Sequence, residues 1–190
     1  MQRQRTAFLD ARKQLAPDDL LFIDEAGSHQ AMTRLYARAP RGQRALAIRP
    51  VNRGVHITML GALGLTGLVA TMTIAGFTDG AVFLAFVQQV LVPELRPGHV
   101  VVLDHLKAHK VAGIAEAITT TGARLLYLPP YSPDLSPIEE CWSKVKTVLR
   151  AKAARTRESL EEAIAEAFEA VTVSDAQGWF THAGYCVISN

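Results

Sequence analysis

The sequence predicts an α/β fold in which a five-stranded mixed sheet is flanked by helices. Two observations predict it: uncharged apolar runs of strand length, and segments with apolar residues at helical spacing that alternate with those runs in the second half. The chain has 190 residues, of which 49% are hydrophobic and 20% charged. That length and composition are sufficient for one domain with a real core.

The first half of the chain predicts a short helix and linker followed by three strands. Residues 1–19 form the helix and linker, and residues 20–23 form a buried strand. Residues 55–63 and 68–75 pair as a hairpin around a turn at residues 64–67. The uncharged stretch 57–78 is long enough to span a membrane, but its five threonines and four glycines favour the hairpin. We therefore expect no membrane segment.

The second half predicts helices that alternate with two strands. A helix over residues 79–92 is stopped by Pro93, and a strand follows at 100–103. A helix from about His109 to Thr120 leads to a strand at 125–128, and two helices follow at 138–150 and 158–170. Strands separated by helices are expected to be parallel, whereas the early strands pair antiparallel. This order resembles the ribonuclease-H-like fold, with residues 20–190 forming one domain after residues 1–19.

Positive charge is distributed unevenly although the formal net charge is only +2. No acidic residue occurs between Glu25 and Asp79, and a second basic cluster lies in residues 144–157. Such clusters favour a polyanionic partner, although charge runs often form only a solvated face. The candidate DNA contacts are Arg41, Arg44, Arg49, Arg53, His109, Lys144 and Lys146.

Two apolar strands are each followed by an aspartate, Asp24 and Asp104. One such residue often starts a turn or caps a helix. Two of them on strands that the topology places side by side, about 4.8 Å apart, are able to share metal ions. Magnesium suits such a pair because it takes carboxylate and phosphate oxygens.

The third carboxylate is expected at the start of the helix after the last strand. The run Ser136-Pro137-Ile138-Glu139 has the form of a capping box, which is a structural explanation for Glu139. A buried stripe of this helix is predicted for Ile138, Trp142, Val145 and Leu149. Helix phase then places Glu139 on the boundary that faces the sheet, whereas Glu140 faces water. Glu139 is therefore the better candidate ligand, and Trp142 is interpreted as core.

Four motifs are distinctive. They are Phe22-Ile23-Asp24-Glu25-Ala26-Gly27, Ala39-Pro40-Arg41-Gly42-Gln43-Arg44, Val102-Leu103-Asp104-His105-Leu106-Lys107-Ala108-His109-Lys110 and Leu128-Pro129-Pro130-Tyr131-Ser132-Pro133-Asp134-Leu135-Ser136-Pro137-Ile138-Glu139. With them the chain resembles, from about Leu20 to Tyr185, the catalytic domain of the Tc/mariner superfamily, in particular its bacterial insertion-sequence transposases. The 34 residues between Asp104 and Glu139 match the separation expected for this group.

The resemblance implies that Asp24, Asp104 and Glu139 are catalytic carboxylates that hold two Mg²⁺ ions, with Mn²⁺ as a substitute. It implies hydrolysis of a phosphodiester at a transposon end, followed by attack of the freed 3′ hydroxyl on target DNA at a TA dinucleotide. The partners are then double-stranded DNA and a second copy of the chain. His105 and Ser136 stand where asparagine is common, and His109 matches a recurrent histidine near the phosphate.

Several alternatives remain open. His105 and His109 are four residues apart, a spacing that also suits zinc. Only about twenty residues precede the first strand, too few for a helix-turn-helix region that reads transposon ends. The chain is therefore either a DNA-cleaving transposase domain or a non-catalytic DNA-binding fragment or regulator, and a ribonuclease or junction resolvase is a third possibility. The unpaired cysteines, Cys141 and Cys186, fit the bacterial cytoplasm, with association to the nucleoid when DNA is bound.

Overall fold

A five-stranded sheet forms the centre of the computed structural model, which describes residues 2–105 and 111–187. The strands are β1 (Leu20–His29), β2 (His56–Gly64), β3 (Gly67–Ala75), β4 (Val100–Leu103) and β5 (Arg124–Tyr127). Their spatial order is β3-β2-β1-β4-β5. Strands β1, β2 and β3 pair antiparallel, whereas β4 and β5 add parallel to β1. The predicted five-stranded mixed sheet is confirmed.

Helices cover both faces of this sheet. They are α1 (Gln2–Arg12), α2 (Gly80–Phe86), α3 (Ile114–Thr119), α4 (Pro137–Lys152), α5 (Arg157–Glu169) and α6 (Val173–His182). Alternate residues of the central strands enter different clusters: Phe22 and Val102 pack with α4, α5 and α6, whereas Ile23 and Val101 pack with α2 and α3. This alternation is the two-residue period of a strand buried on both faces.

The uncharged stretch after residue 56 forms the predicted hairpin. Gly64 and Gly67 are the closing pair of β2 and β3, and Gly67 has a φ of 111°, which favours glycine. In the described part of the chain, no helix has both the length and the apolar character needed to cross a membrane.

The helix predicted at 79–92 is regular only in its first half. The Asp79 carboxylate accepts from the backbone N–H groups of Ala81 and Val82 and so caps α2. After Phe86 the helix continues as a π turn at Val87–Leu91 and a 3₁₀ turn at Val92–Glu94. Pro93 has no backbone N–H, and the chain leaves the helix directly after this last turn.

The helix predicted from about His109 starts later in the described residues. Helix α3 begins at Ile114, after Gly113 in the left-handed region with a φ of 97°. A left-handed residue interrupts a right-handed helix, so the predicted start is wrong for residues 111–113. His109 itself lies outside the described residues.

Helix α6 was not predicted from the sequence. Thr172 and Asp175 cap its start reciprocally: the Thr172 hydroxyl accepts from the Asp175 N–H, and the Asp175 carboxylate accepts from the Thr172 N–H. The ion pair with Lys144 and the bonds from Thr172 lower the pKa of Asp175 to about 2. Phe180 on this helix is fully buried against Phe22, with ring centroids 5.4 Å apart.

Candidate active site

Asp24 and Asp104 occupy equivalent positions in the parallel strands β1 and β4, beyond the last paired residues. Leu20 pairs with Val100 and Phe22 with Val102. Asp24 is two residues after Phe22, and Asp104 is two residues after its partner Val102. The interpretation that the first strand ends at Asp24 is wrong, because β1 continues to His29 in its pairing with β2.

Glu139 lies in the first turn of α4. Ser136 is the N-cap residue and Pro137 the first helical residue, but the Ser136 side chain makes no capping hydrogen bond. The Glu139 N–H instead donates to the Ser136 carbonyl at 3.2 Å. The capping box predicted from the sequence therefore does not form, and helix capping does not explain why glutamate stands at position 139.

The predicted buried stripe of α4 is confirmed, but the expected exposure of Glu140 is wrong. Ile138, Trp142, Val145 and Leu149 are each at most 2% exposed. Glu140 is half-buried, and its Oε1 lies 3.6 Å from Nε2 of His182. Helix α6 covers this side of α4, and that helix was not predicted from the sequence.

One cavity of about 440 Å³ contains all three carboxylates in its lining. The loop from Leu128 to Pro133 forms one wall, and Ser136 and His105 contribute to the rest. A metal site requires its ligands to converge on one point, which is more than lining the same cavity. Among the described residues, no three His, Cys, Asp or Glu side chains converge tightly enough to hold an ion as they stand.

The donor set of this cavity nevertheless fits a hard divalent cation. Asp24, Asp104 and Glu139 supply only carboxylate oxygens, which suit Mg²⁺ or Mn²⁺ better than softer ions. Glu139 is exposed in the first turn of its helix. Of the two histidines with zinc-like spacing, His109 lies outside the described residues, and the His105 ring is stacked on the Tyr127 ring with the centroids 5.2 Å apart.

The proline-rich wall of the cavity is anchored from outside the site. Arg5 of α1 donates to Ser132 Oγ at 3.1 Å and to both carboxylate oxygens of Asp134. This contact lowers the pKa of Asp134. The Tyr185 hydroxyl donates to the Leu135 carbonyl at 2.8 Å. No signal in the sequence links Arg5 or Tyr185 to this loop, because each partner is at least 50 residues away.

Trp142 is buried, as predicted for a core residue, and it also contacts the site. Its indole Nε1 donates a 3.0 Å hydrogen bond to Asp24 Oδ2. The interpretation of Trp142 as core alone is therefore incomplete. A buried indole N–H needs an acceptor, which is the only hint of this bond that the sequence contains.

The candidate DNA contacts fall into two groups. Arg41 and Arg44 lie on an exposed segment, residues 34–49, that has no helix or strand, and Gln43 closes the predicted turn by donating to the Pro40 carbonyl. Arg49 and Arg53 line a small recess beside Ala31. In the second group, Lys144 is paired with Asp175 and Lys146 is half-buried.

The structure brings the two basic clusters together around His29. Burial lowers the pKa of His29, and the positive charges of Arg53, His56, Arg49 and Arg150 lower it further. Arg150 comes from the second cluster and the other two arginines from the first. Arg155 ties the two regions by donating to the carbonyls of Gln30 and Met32.

Comparison with known proteins identifies the family and the fold. The family model described as DDE superfamily endonuclease matches residues 19–161. Among solved structures the chain is similar to a pre-cleavage Mos1 transpososome, with 15% identity, a TM-score of 0.71 and coverage of 98% of this chain and 62% of that chain. It is also similar to the Mos1 mariner paired end complex with Mn, with 18% identity, a TM-score of 0.73 and coverage of 95% and 57%.

A third similar structure is the catalytic domain of Mos1 mariner transposase, with 15% identity, a TM-score of 0.65 and coverage of 95% of this chain and 85% of that chain. At these identities the likeness shows the fold, which is ribonuclease-H-like. The chain spans less than two thirds of the Mos1 chains in the two assemblies. No curated protein matches the chain. The family match covers most of the sequence and all three carboxylates, and it shows that the chain belongs to the DDE superfamily endonucleases.

Proposed function

We propose that this chain is the catalytic domain of an insertion-sequence transposase, which cleaves DNA at transposon ends and joins the freed end to target DNA. The observation that carries the proposal is the shared cavity of Asp24, Asp104 and Glu139. Family membership supports the nuclease class. The similar Mos1 structures include a strand transfer complex, which supports the joining step.

In this proposal Asp24, Asp104 and Glu139 hold two Mg²⁺ ions, for which Mn²⁺ substitutes. The bound ions would lower the pKa of the attacking water or 3′ hydroxyl and balance the charge that develops on the phosphate. The strand register fixes the two aspartates relative to each other, and α4 supplies the third carboxylate. The proline-rich wall, held by Arg5, lines the same cavity.

The partners and location follow from the same proposal. The DNA is a double-stranded transposon end and a target with a TA dinucleotide, bound by a homodimer in the bacterial cytoplasm at the nucleoid. Paired-end complexes of Mos1 support pairing of two copies on DNA. The exposed arginines of residues 34–53 and the group around His29 are the proposed phosphate contacts, which predicts binding that weakens steeply with salt.

The lowered pKa of His29 predicts that both the stability of the protein and its affinity for DNA depend on pH. Because the unfolded histidine takes up its proton near pH 6.5, stability falls as the pH drops through about that value, until the folded-state pKa is reached. DNA phosphates that neutralise Arg49, Arg53 and Arg150 are expected to raise the His29 pKa. The affinity for a short duplex should then increase several-fold between about pH 8 and pH 6.

NMR titration of the His29 ring, with and without the duplex, measures this shift, and fluorescence anisotropy measures the affinity. The variant His29→Gln should bind with a weaker dependence on pH than the wild type, and His56 remains in the cluster. A His29 pKa that is the same with and without DNA would contradict the placement of phosphates at this cluster.

The test of the proposed activity is nicking of supercoiled DNA in Mg²⁺, Mn²⁺ or EDTA. We expect cleavage that requires a divalent ion and that is lost in Asp104→Asn. The matched control is Asp10→Asn, which changes an exposed carboxylate of α1 that pairs only with Lys13 in the described structure. Asp10→Asn should cleave like the wild type.

The alternative function is that of a non-catalytic DNA-binding fragment or regulator of a full-length transposase. The exposed Arg49 and Arg53 beside His29 support DNA binding, which this alternative shares with the proposed enzyme, while Lys144 and Arg155 are already bonded within the chain. A folded protein that binds DNA in the same assay but does not nick it in any metal would favour this alternative.

A further inference from the structure

We propose that Trp142 is a positioning residue that fixes the orientation of the Asp24 carboxylate. In this proposal Gly61, which has no side chain, leaves the space in which the Trp142 indole reaches that carboxylate. The inference rests on the proposed metal-binding role of Asp24. It begins with the 3.0 Å hydrogen bond from Trp142 Nε1 to Asp24 Oδ2, which joins residues 118 positions apart.

Trp142 is held rigidly enough for this role. Its side chain is 2% exposed and belongs to the cluster between the sheet and α4. The ring lies 6.4 Å from that of Phe168 on α5. Trp142 is also one helical turn after Glu139 on α4, and Asp24, which accepts from its indole, lines the cavity together with Glu139. A rigid aromatic donor therefore sets the orientation of the Asp24 carboxylate in relation to Glu139.

Gly61 is the residue that makes this contact sterically possible. It is the cross-strand partner of Asp24 in the pairing of β1 and β2. A Cβ atom at position 61 would lie 2.9 Å from Cη2 and 3.2 Å from Cζ2 of Trp142. Any side chain at this position would thus push the six-membered ring of the indole away from the sheet, and the Nε1–H away from Asp24.

The bond is compatible with cation binding by the same carboxylate. A carboxylate has about four lone-pair positions, so accepting one N–H leaves capacity for a metal ligand bond. A neighbouring residue that donates a hydrogen bond to a metal-binding side chain restricts the orientation of that side chain. Removal of such a hydrogen bond typically weakens metal affinity by about 10- to 100-fold. We expect Trp142 to act in this way through Asp24, without touching the DNA.

The hydrogen bond itself is tested without metal or DNA. The chain contains two tryptophans, so a ¹⁵N-labelled sample gives two indole N–H signals. Asp24→Asn should shift the signal of Trp142 and leave that of Trp179 in place. An unmoved Trp142 signal in a folded Asp24→Asn protein would overturn the inference.

The consequence is tested by Mn²⁺ binding, followed by calorimetry. Trp142→Phe keeps an aromatic ring but lacks the N–H, and we expect it to bind Mn²⁺ about 10-fold more weakly. Cleavage by this variant should recover partly at high Mn²⁺, which a general loss of folding would not allow. Trp179→Phe is the matched control and should bind Mn²⁺ like the wild type.

A double-mutant cycle separates positioning from simple packing. Gly61→Ala should weaken Mn²⁺ binding about as much as Trp142→Phe does. In the Trp142→Phe background it should have a much smaller effect, because phenylalanine lacks the two indole atoms and the remaining close neighbour is Cδ2 of Leu68 at 3.2 Å, the end of a flexible side chain. Gly64→Ala, on the same strand but against Leu21, controls for an added methyl group and should leave Mn²⁺ binding unchanged.

The outcomes distinguish this inference from the proposed function. Wild-type Mn²⁺ affinity in Trp142→Phe, or additive effects of the two substitutions, would show the inference to be wrong while DNA cleavage by the wild type stands. A wild-type protein that binds Mn²⁺ with the expected dependence on Trp142 but does not cleave DNA would contradict the proposed activity and support the inference.

Discussion

Glu139→Gln is expected to lower metal-dependent DNA cleavage by about 1000-fold, with little change in folding. The substitution keeps the size of the side chain but removes its charge, and with it one anionic ligand of the proposed metal pair. Metal ions contribute several kcal/mol of transition-state stabilisation, which corresponds to a loss of this size. Glu139 is exposed and has no side-chain hydrogen bond within the described structure, so its replacement costs little stability.

The neighbouring Glu140→Gln is the matched control, since it makes the same change one residue along the same helix. Glu140 faces His182 of α6 and does not line the cavity. Cleavage rates on one labelled DNA substrate, with circular dichroism to verify folding, are to be compared for both variants. Equal activity of Glu139→Gln and Glu140→Gln would remove Glu139 from the proposed site.

The sequence was sufficient to predict the elements that carry a strong local pattern. The uncharged strands, the hairpin at residues 64–67 and the buried stripe of α4 have periodic apolar residues, and all are found. The three carboxylates were predicted from the ends of such elements. Asp24 and Asp104 then line a common cavity because they follow the paired ends of two adjacent parallel strands.

Elements without a strong local pattern could not be predicted in the same way. The second half of β1 contains Ser28, which is fully buried. Its hydroxyl group is satisfied there by donating a hydrogen bond to the Ile57 carbonyl of β2. A buried serine breaks the apolar pattern of a strand, and its partner is 29 residues away. Helix α6 is only ten residues long, although its Thr172-to-Asp175 spacing is a recognisable start signal.

The long-range contacts of the site were beyond sequence reasoning. The bonds from Trp142 to Asp24 and from Arg5 to Asp134 join residues more than 100 positions apart. Neither residue type is unusual at its position: Trp142 fits the core of an amphipathic helix, and Arg5 fits an exposed N-terminal helix. Only the packing of α1 and α4 against the sheet gives these side chains their second role.

Phe22→Ala is expected to lower the free energy of unfolding by about 3–5 kcal/mol, a typical cost for removing a buried phenylalanine. Phe22 is 0% exposed and lies two residues before Asp24 on the same face of β1. Its ring contacts Phe180 of α6 at 5.4 Å and Tyr185 at 5.2 Å, both edge to face. The truncation would leave a cavity where the C-terminal helix is anchored to the central strand.

Phe77→Ala is the matched control, because Phe77 is 80% exposed and its ring is stacked only on His56 among the described aromatic contacts. Its effect should stay within about 0.5 kcal/mol. Urea unfolding of the two variants and the wild type measures the difference. A loss below about 1 kcal/mol for Phe22→Ala would mean that α6 and Tyr185 do not depend on this contact. If the full loss is found, the helix that the sequence did not predict is part of the core that supports Asp24.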